Sequence, residues 1–201
     1  MCGRYYVDGE MEEKIRHTLG QVEAVLRLGE QEKRDVHPGD TAAVLTGRQG
    51  WKLEAMEWGL PADSEEDRRK RRIINVRSET VMDKPGFQRA ILRNRCVIPA
   101  MGFYEWNRER EKAEFFRPDG MVLYMAGFYE WIGDRERFTI LTTSANPSVA
   151  PVHGRMPLIL EVDELEDWMG EEKNVIRLLK KIPGRLKRRQ EYEQQILPFL
   201  L

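Results

Sequence analysis

The sequence predicts an α+β fold: a single domain over residues 1–201 with a mainly antiparallel, barrel-like β-sheet flanked by helices. Three observations lead there. Apolar, β-branched and aromatic runs punctuated by Gly and Pro cluster in the middle of the chain. Helical patterns lie toward the ends and in insertions, without the strand–helix–strand alternation of a parallel sheet. The length suits one core, and no Pro-, Gly- or Ser-rich linker divides it.

Residues 10–29 (EMEEKIRHTLGQVEAVLRLG) read as helical, with Gly20 as the break. A turn at His37-Pro38-Gly39-Asp40 leads into a strand, TAAVLTG, and WKLEAMEW at 51–58 alternates as a second. The acid-then-base run 63–72 (DSEEDRRKRR) reads as a solvated loop. IINVRSE follows as a strand, and GFQRAILRNR as a short amphipathic helix with Phe87, Ala90 and Ile91 on one face. CVIPAMGFYEW, MVLYMAGFYEW, RFTILTTSA and MPLILEV are the strands of the centre. GFYEW occurs twice, at 102–106 and 127–131, which suggests two paired strands of one sheet. Asp163 with Glu166 three residues on reads as a capping box for a helix carrying Leu165 and Trp168. EEKNVIRLLKKI is the last helix, stopped by Pro183-Gly184, so that 161–201 is expected as a helical C-terminal part.

Composition narrows the function. With 33 basic and 34 acidic side chains the net charge is -1, so any nucleic acid would be held by a local patch rather than by a global field. Two cysteines and three histidines (His17, His37, His153) lack metal-ligand spacing, and no metal or cofactor is expected. A Cys2–Cys96 disulfide stays open, although nothing points to an oxidising compartment. The N-terminus lacks the apolar stretch of a signal peptide and no apolar run reaches spanning length. The chain therefore reads as a soluble, cytoplasmic monomer with no membrane partner.

Chemistry-bearing residues interrupt this apolar frame. Cys2 is followed by Gly3, and both are small enough for an aminopeptidase to remove Met1. Cys2 would then carry an α-amine, of pKa about 7.7–8.0, and a thiol, of about 8.5, on adjacent carbons. Such an aminothiol captures an aldehyde as an imine and then closes a five-membered thiazolidine. Asn75 and Arg77 alternate with Val76 and share one sheet face. Glu105, between Tyr104 and Trp106, is either a buried general acid or base or the partner of a neighbouring Arg. His153 lies in a Pro- and Gly-rich loop, as a rigidly held catalyst or a surface residue. Trp58 at a strand end is either core or a platform for a stacked base.

Seven segments in order carry a resemblance: MCGRYYV, WGLPA, NVRSET, RCVIPAMGFYEW, MAGFYEW, TTSAN and VHGRMPLIL. Over residues 2–160 the chain resembles the SOS-response-associated peptidase family, also called abasic-site-processing proteins, and residues 161–201 match it weakly. The resemblance implies covalent attachment to abasic sites in single-stranded DNA through Cys2, after Met1 is removed autocatalytically or by an aminopeptidase. It implies that Asn75 positions Cys2, that Glu105 assists imine chemistry and ring closure, and that His153 donates a proton as the sugar opens. Arg4, Arg77 and Arg155 then form the local basic patch for DNA, with Trp58 at its edge, and the protein is nucleoid-associated when bound. Two departures stand out: Met101 replaces the family's usual Asp, and the aromatic that often follows WGLPA is missing. Two rivals remain on the residues alone. One is an amidohydrolase in which Cys2 attacks an amide, and the other a non-catalytic single-strand-binding module that uses Arg77 and Arg155.

Overall fold

The computed structural model describes residues 2–24, 33–47, 50–62 and 72–190. Its strands are β1 Arg4–Val7, β2 Val22–Ala24, β3 Arg34–Val36, β4 Thr41–Thr46, β5 Trp51–Trp58, β6 Leu60–Pro61, β7 Arg72–Ile73 and β8 Asn75–Arg77. They continue as β9 Arg95–Ala100, β10 Gly102–Trp106, β11 Lys112–Phe116, β12 Leu123–Ile132, β13 Arg135–Ser144, β14 Arg155–Pro157, β15 Ile159–Leu160 and β16 Lys187–Gln190. The helices are α1 Met11–Leu19, α2 Pro85–Arg93, α3 Leu165–Met169 and α4 Glu172–Leu178.

The barrel expectation holds. The strand order β13-β12-β9-β4-β5 closes on itself, because β13 also pairs with β5. A ring with an odd number of strands cannot alternate direction throughout. One neighbouring pair must run parallel, and that pair is β5–β13, where Glu57 meets Arg137 and Trp58 meets Phe138. A second, five-stranded sheet of order β16-β11-β10-β1-β3 carries the N-terminal strand. Pro99 is tolerated inside β9 because its ladder faces β12, while on the β4 side the pairing is limited to Leu45 with Val97.

Several expectations need correction. The helix read over 10–29 stops at Gly20, whose φ of 74° ends α1, and Val22–Ala24 then forms a strand beside β5; residues 25–29 lie outside the described residues. The two GFYEW copies are not paired with each other. The first is β10 in the five-stranded sheet, and the second lies in β12 of the barrel. What they share is packing: a Cβ on Gly102 would come within 2.6 Å of the Phe115 carbonyl, and one on Gly127 within 2.5 Å of the Thr139 carbonyl. The capping box joins Glu161 and Glu164, not Asp163 and Glu166, and Glu166 instead accepts the Trp51 indole N–H. The C-terminal part is not wholly helical, since Lys187–Gln190 adds a strand to β11. The charged run falls at 63–71 outside the described residues, and Arg72 opens β7. Cys2 and Cys96 are both free thiols. Among the described residues no helix is long and apolar enough to cross a membrane.

Trp58 is core, not a base platform. It is 0% exposed, its ring stacks at 6.2 Å on Phe138 and tilts against Tyr5, and its indole N–H donates to the Ile74 carbonyl at 3.0 Å. A base has no access to a ring enclosed on these sides. Trp58 instead plugs the parallel seam and fixes the carbonyl just before Asn75. Trp58→Ala is therefore expected to lower stability by about 3–5 kcal/mol, the usual cost of emptying a buried aromatic site. Urea unfolding followed by circular dichroism measures this, and a loss below about 1 kcal/mol would contradict the seam role.

Candidate functional site

Cys2 lies just ahead of β1, entirely buried. Its carbonyl accepts a hydrogen bond from the Asn75 side-chain amide at 2.7 Å, and its thiol donates weakly to the Arg4 carbonyl at 3.7 Å. Asn75 comes from β8, which is held in parallel register on β13, with Asn75 level with Ile140. Burial, and secondarily the negative charge of Glu105, push the Cys2 thiol far above its ordinary pKa. The sulfur in this enclosure is thus a neutral thiol, a poor nucleophile until a proton acceptor is at hand.

Glu105 points inward from β10 and is 3% exposed. The antiparallel register sets Tyr104 against Arg4, so one step further along brings Glu105 level with Gly3, where no side chain obstructs it. Desolvation raises its carboxyl above the normal range, while His153 is among the groups that oppose that rise. His153 Nδ1 stands 3.9 Å from Glu105 Oε1. That nitrogen also receives the Arg155 backbone N–H at 3.0 Å, with the Arg155 carbonyl 3.1 Å away. A donor and an acceptor of Arg155 thus both face Nδ1, so the ring finds a backbone partner there in either tautomer. Once the ring is protonated, Nδ1–H is a donor and has the Arg155 carbonyl and Glu105 to face.

The raised Glu105 carboxyl has a consequence for stability. A folded pKa above the unfolded value of about 4.3 gives a contribution that is full below that value and is lost as pH rises through the folded pKa. Glu105→Gln, which cannot ionise, should therefore melt higher than the parent at neutral pH, and the gap should close as pH falls toward 4.3. Thermal melts at several pH values test this, and a variant melting lower at neutral pH and recovering in acid would reverse the sign.

The structure thus brings Cys2, Asn75, Glu105 and His153 together. The arginines divide. Arg4 lies over the Trp106 ring at 5.3 Å and 3.6 Å from Asp35. Arg77 is exposed at the end of β8. Arg155 is held in a bidentate pair with Glu79, whose carboxyl it keeps below the usual range. Among the described residues no three His, Cys, Asp or Glu side chains gather as metal ligands do. A cleft of about 230 Å³ lined by Lys52, Arg93, Arg95 and Tyr129 includes none of the Cys2 cluster.

One organising residue escapes sequence reasoning. Asn146 is 3% exposed; its side-chain oxygen accepts from Ser148 and the Val149 N–H, and its amide donates to the Pro183 and Gly184 carbonyls. The turn it nucleates ends with the His153 N–H donating to the Val149 carbonyl. Asn146-Pro147 ahead of a Pro-rich loop was the available signal for a turn, but its clamp on residues 183–184 is long-range.

A family model, SOS response associated peptidase (SRAP), matches residues 1–193. The chain is 30% identical over 181 residues to the abasic site processing protein YoaM of Bacillus subtilis, covering 84% of this chain and 79% of that one. It is 26% identical over 182 residues to the abasic site processing protein YedK of Escherichia coli, covering 86% and 81%. The crystal structure of a Bacteroides thetaiotaomicron protein superposes with a TM-score of 0.78 at 25% identity, over 94% of this chain and 91% of that one. A match that begins ahead of Cys2, takes in both sheets and runs past β16 makes this chain a member of the SOS response associated peptidase family.

Proposed function

We propose that this chain processes abasic sites in DNA, and that it does so by trapping the lesion aldehyde on Cys2 of a single strand. The processing of abasic sites is what the names of YoaM and YedK attach to those relatives. The observation that carries the chemical reading is the buried Glu105, 3.9 Å from His153 and biased by desolvation toward holding a proton. A buried carboxyl whose pKa is raised this way suits a proton donor and acceptor better than an exposed one.

The steps follow from the groups present. His153 gives a proton to the ring oxygen as the ring C–O bond breaks, and the anomeric hydroxyl gives up its proton to water as the deoxyribose opens to its aldehyde. The free α-amine of Cys2 adds to the aldehyde carbon, with its proton passing to the new oxygen. Glu105 protonates the resulting hydroxyl and water leaves. The nitrogen proton of the iminium then returns to Glu105 to leave the imine. The Cys2 sulfur then bonds to the imine carbon while its proton moves to nitrogen, closing the thiazolidine with no further atoms lost. A thiol whose pKa is raised by burial suits this order, because the amine acts first and the tethered thiol follows. Asn75, donating to the Cys2 carbonyl at 2.7 Å, would hold the backbone of Cys2 in place while its amine and thiol react.

Complete burial of Cys2 favours an unpaired strand, since the sugar must leave the stack to reach it and a single strand does so at little cost. Exposed Arg77, two residues beyond Asn75, suits a flanking phosphate. Intact-mass measurement after mixing with a single strand bearing one abasic site tests the reading. A product weighing protein plus strand minus one water, stable without a reductant, is expected. No adduct, or one that survives only after borohydride reduction, would overturn ring closure.

A further inference from the structure

Arg155 is already occupied. Its Nη1 and Nη2 grip Glu79 Oε1 and Oε2 at 2.6 and 2.7 Å, the two-point geometry with which a guanidinium also holds a phosphate. The two partners are not equally fixed. Arg155 is 19% exposed and anchored by donating to the Thr142 carbonyl at 2.6 Å, whereas Glu79 is 41% exposed, with the backbone N–H groups of Ser144 and of Glu79 itself as its other partners and water on its open side. Arg155 Nε is buried without a hydrogen-bond partner among the described residues, a spare donor on the same fork. Arg77, two residues before Glu79, pairs in register with that same Thr142, so both arginines are organised around one residue of β13.

We propose that Glu79 is a specificity-determining residue: it fills the Arg155 fork in place of a phosphodiester, so a strand gains Arg155 only by displacing an internal carboxylate. This rests on the reading of the site as one for abasic DNA. An intact strand competes with Glu79 at its bulk concentration. A strand whose lesion is seated at Cys2 offers its flanking phosphate intramolecularly, at an effective concentration on the order of millimolar. The carboxylate therefore penalises undamaged strands more than damaged ones, a selectivity built from a competing contact rather than from an added attraction.

A thermodynamic cycle on undamaged DNA tests this apart from any covalent chemistry. The parent, Glu79→Gln, Arg155→Ala and the double variant are titrated with an intact single strand across a salt series, with melting curves as the folding control. Glu79→Gln is expected to bind roughly three- to tenfold tighter at low salt, the size of one charge-assisted contact. Its slope of log K against log salt should steepen by about 0.7, one more phosphate neutralised. The gain should vanish in the Arg155→Ala background, because the two residues act through each other. With an abasic strand below saturation, capture by Glu79→Gln should rise less than intact-strand affinity, so discrimination falls. If Glu79→Gln does not fold, Glu79→Ala takes its place in the cycle. A folded variant that binds intact strand no tighter, or a gain that persists without Arg155, would overturn the proposal. Failure of the parent to form any adduct would instead overturn the underlying reading and leave the cycle interpretable.

Discussion

Cys2→Ala is expected to abolish the denaturation-resistant adduct with an abasic single strand altogether. The substitution removes the sulfur that closes the ring but leaves an α-amine, so a reducible imine should still form and be trapped by borohydride. Placing one uncleavable residue ahead of Cys2 removes that amine route too, and neither stable nor reducible adduct should remain. The two variants separate the nucleophiles in a way that neither does alone. A heat- and denaturant-stable product of normal yield from either of them would sink the mechanism, and denaturing gels with and without reductant suffice to see it. The fold should tolerate Cys2→Ala well, because Cys2 is bound through its carbonyl to Asn75 and its thiol donates only a long, weak hydrogen bond, 3.7 Å, to the Arg4 carbonyl.

Glu105→Gln should slow capture by about 10²–10⁴-fold, the range for loss of a general acid–base group. The amide keeps the shape and the burial but transfers no proton. Glu130→Gln supplies the internal control, since Glu130 has the same local neighbours in its own GFYEW. It lies in β12 opposite Arg137, in the other sheet, and should leave the rate near that of the parent. Single-turnover rates under saturating DNA decide the matter: a folded Glu130 variant that loses chemistry, beside a Glu105 variant that keeps it, would invert the assignment.

These two glutamates also show what a sequence can and cannot display. Strand by strand the centre of the chain was legible, because alternation and Gly–Pro punctuation are local signals that β4, β5, β9 and β10 carry plainly. Closure of the barrel was legible only as a class, since the β5–β13 pairing joins residues far apart in the chain. Which sheet each GFYEW joins is a tertiary fact with no local signature, and the pairing inferred from their identity failed for that reason. The helix beyond Gly20 failed differently. Val22 and Glu23 have acceptable helical neighbours, but the open edge of β5 offered a parallel ladder and took them. At the site, Asn75, Glu105 and His153 stood out as polar residues in apolar or rigid settings, whereas Glu79 carries no local signal. Its importance is visible only once Arg155, 76 residues later, closes on it.

The pairing of β1 has a consequence in time. β1 lies between β3 and β10, and the strand that sets Tyr104 against Arg4 is made about a hundred residues after the chain begins. At roughly 5–20 residues per second, the ribosome needs on the order of 5–20 s to supply it. Throughout that interval the segment around Cys2 has no β10 to cover it, and His153 is further still from being synthesised. If a processing peptidase trims Met1, trimming is expected to be easiest on the nascent chain and harder once the domain closes. Completely buried in the finished molecule, Cys2 is expected to be a far better processing substrate while it is being made than after refolding from denaturant.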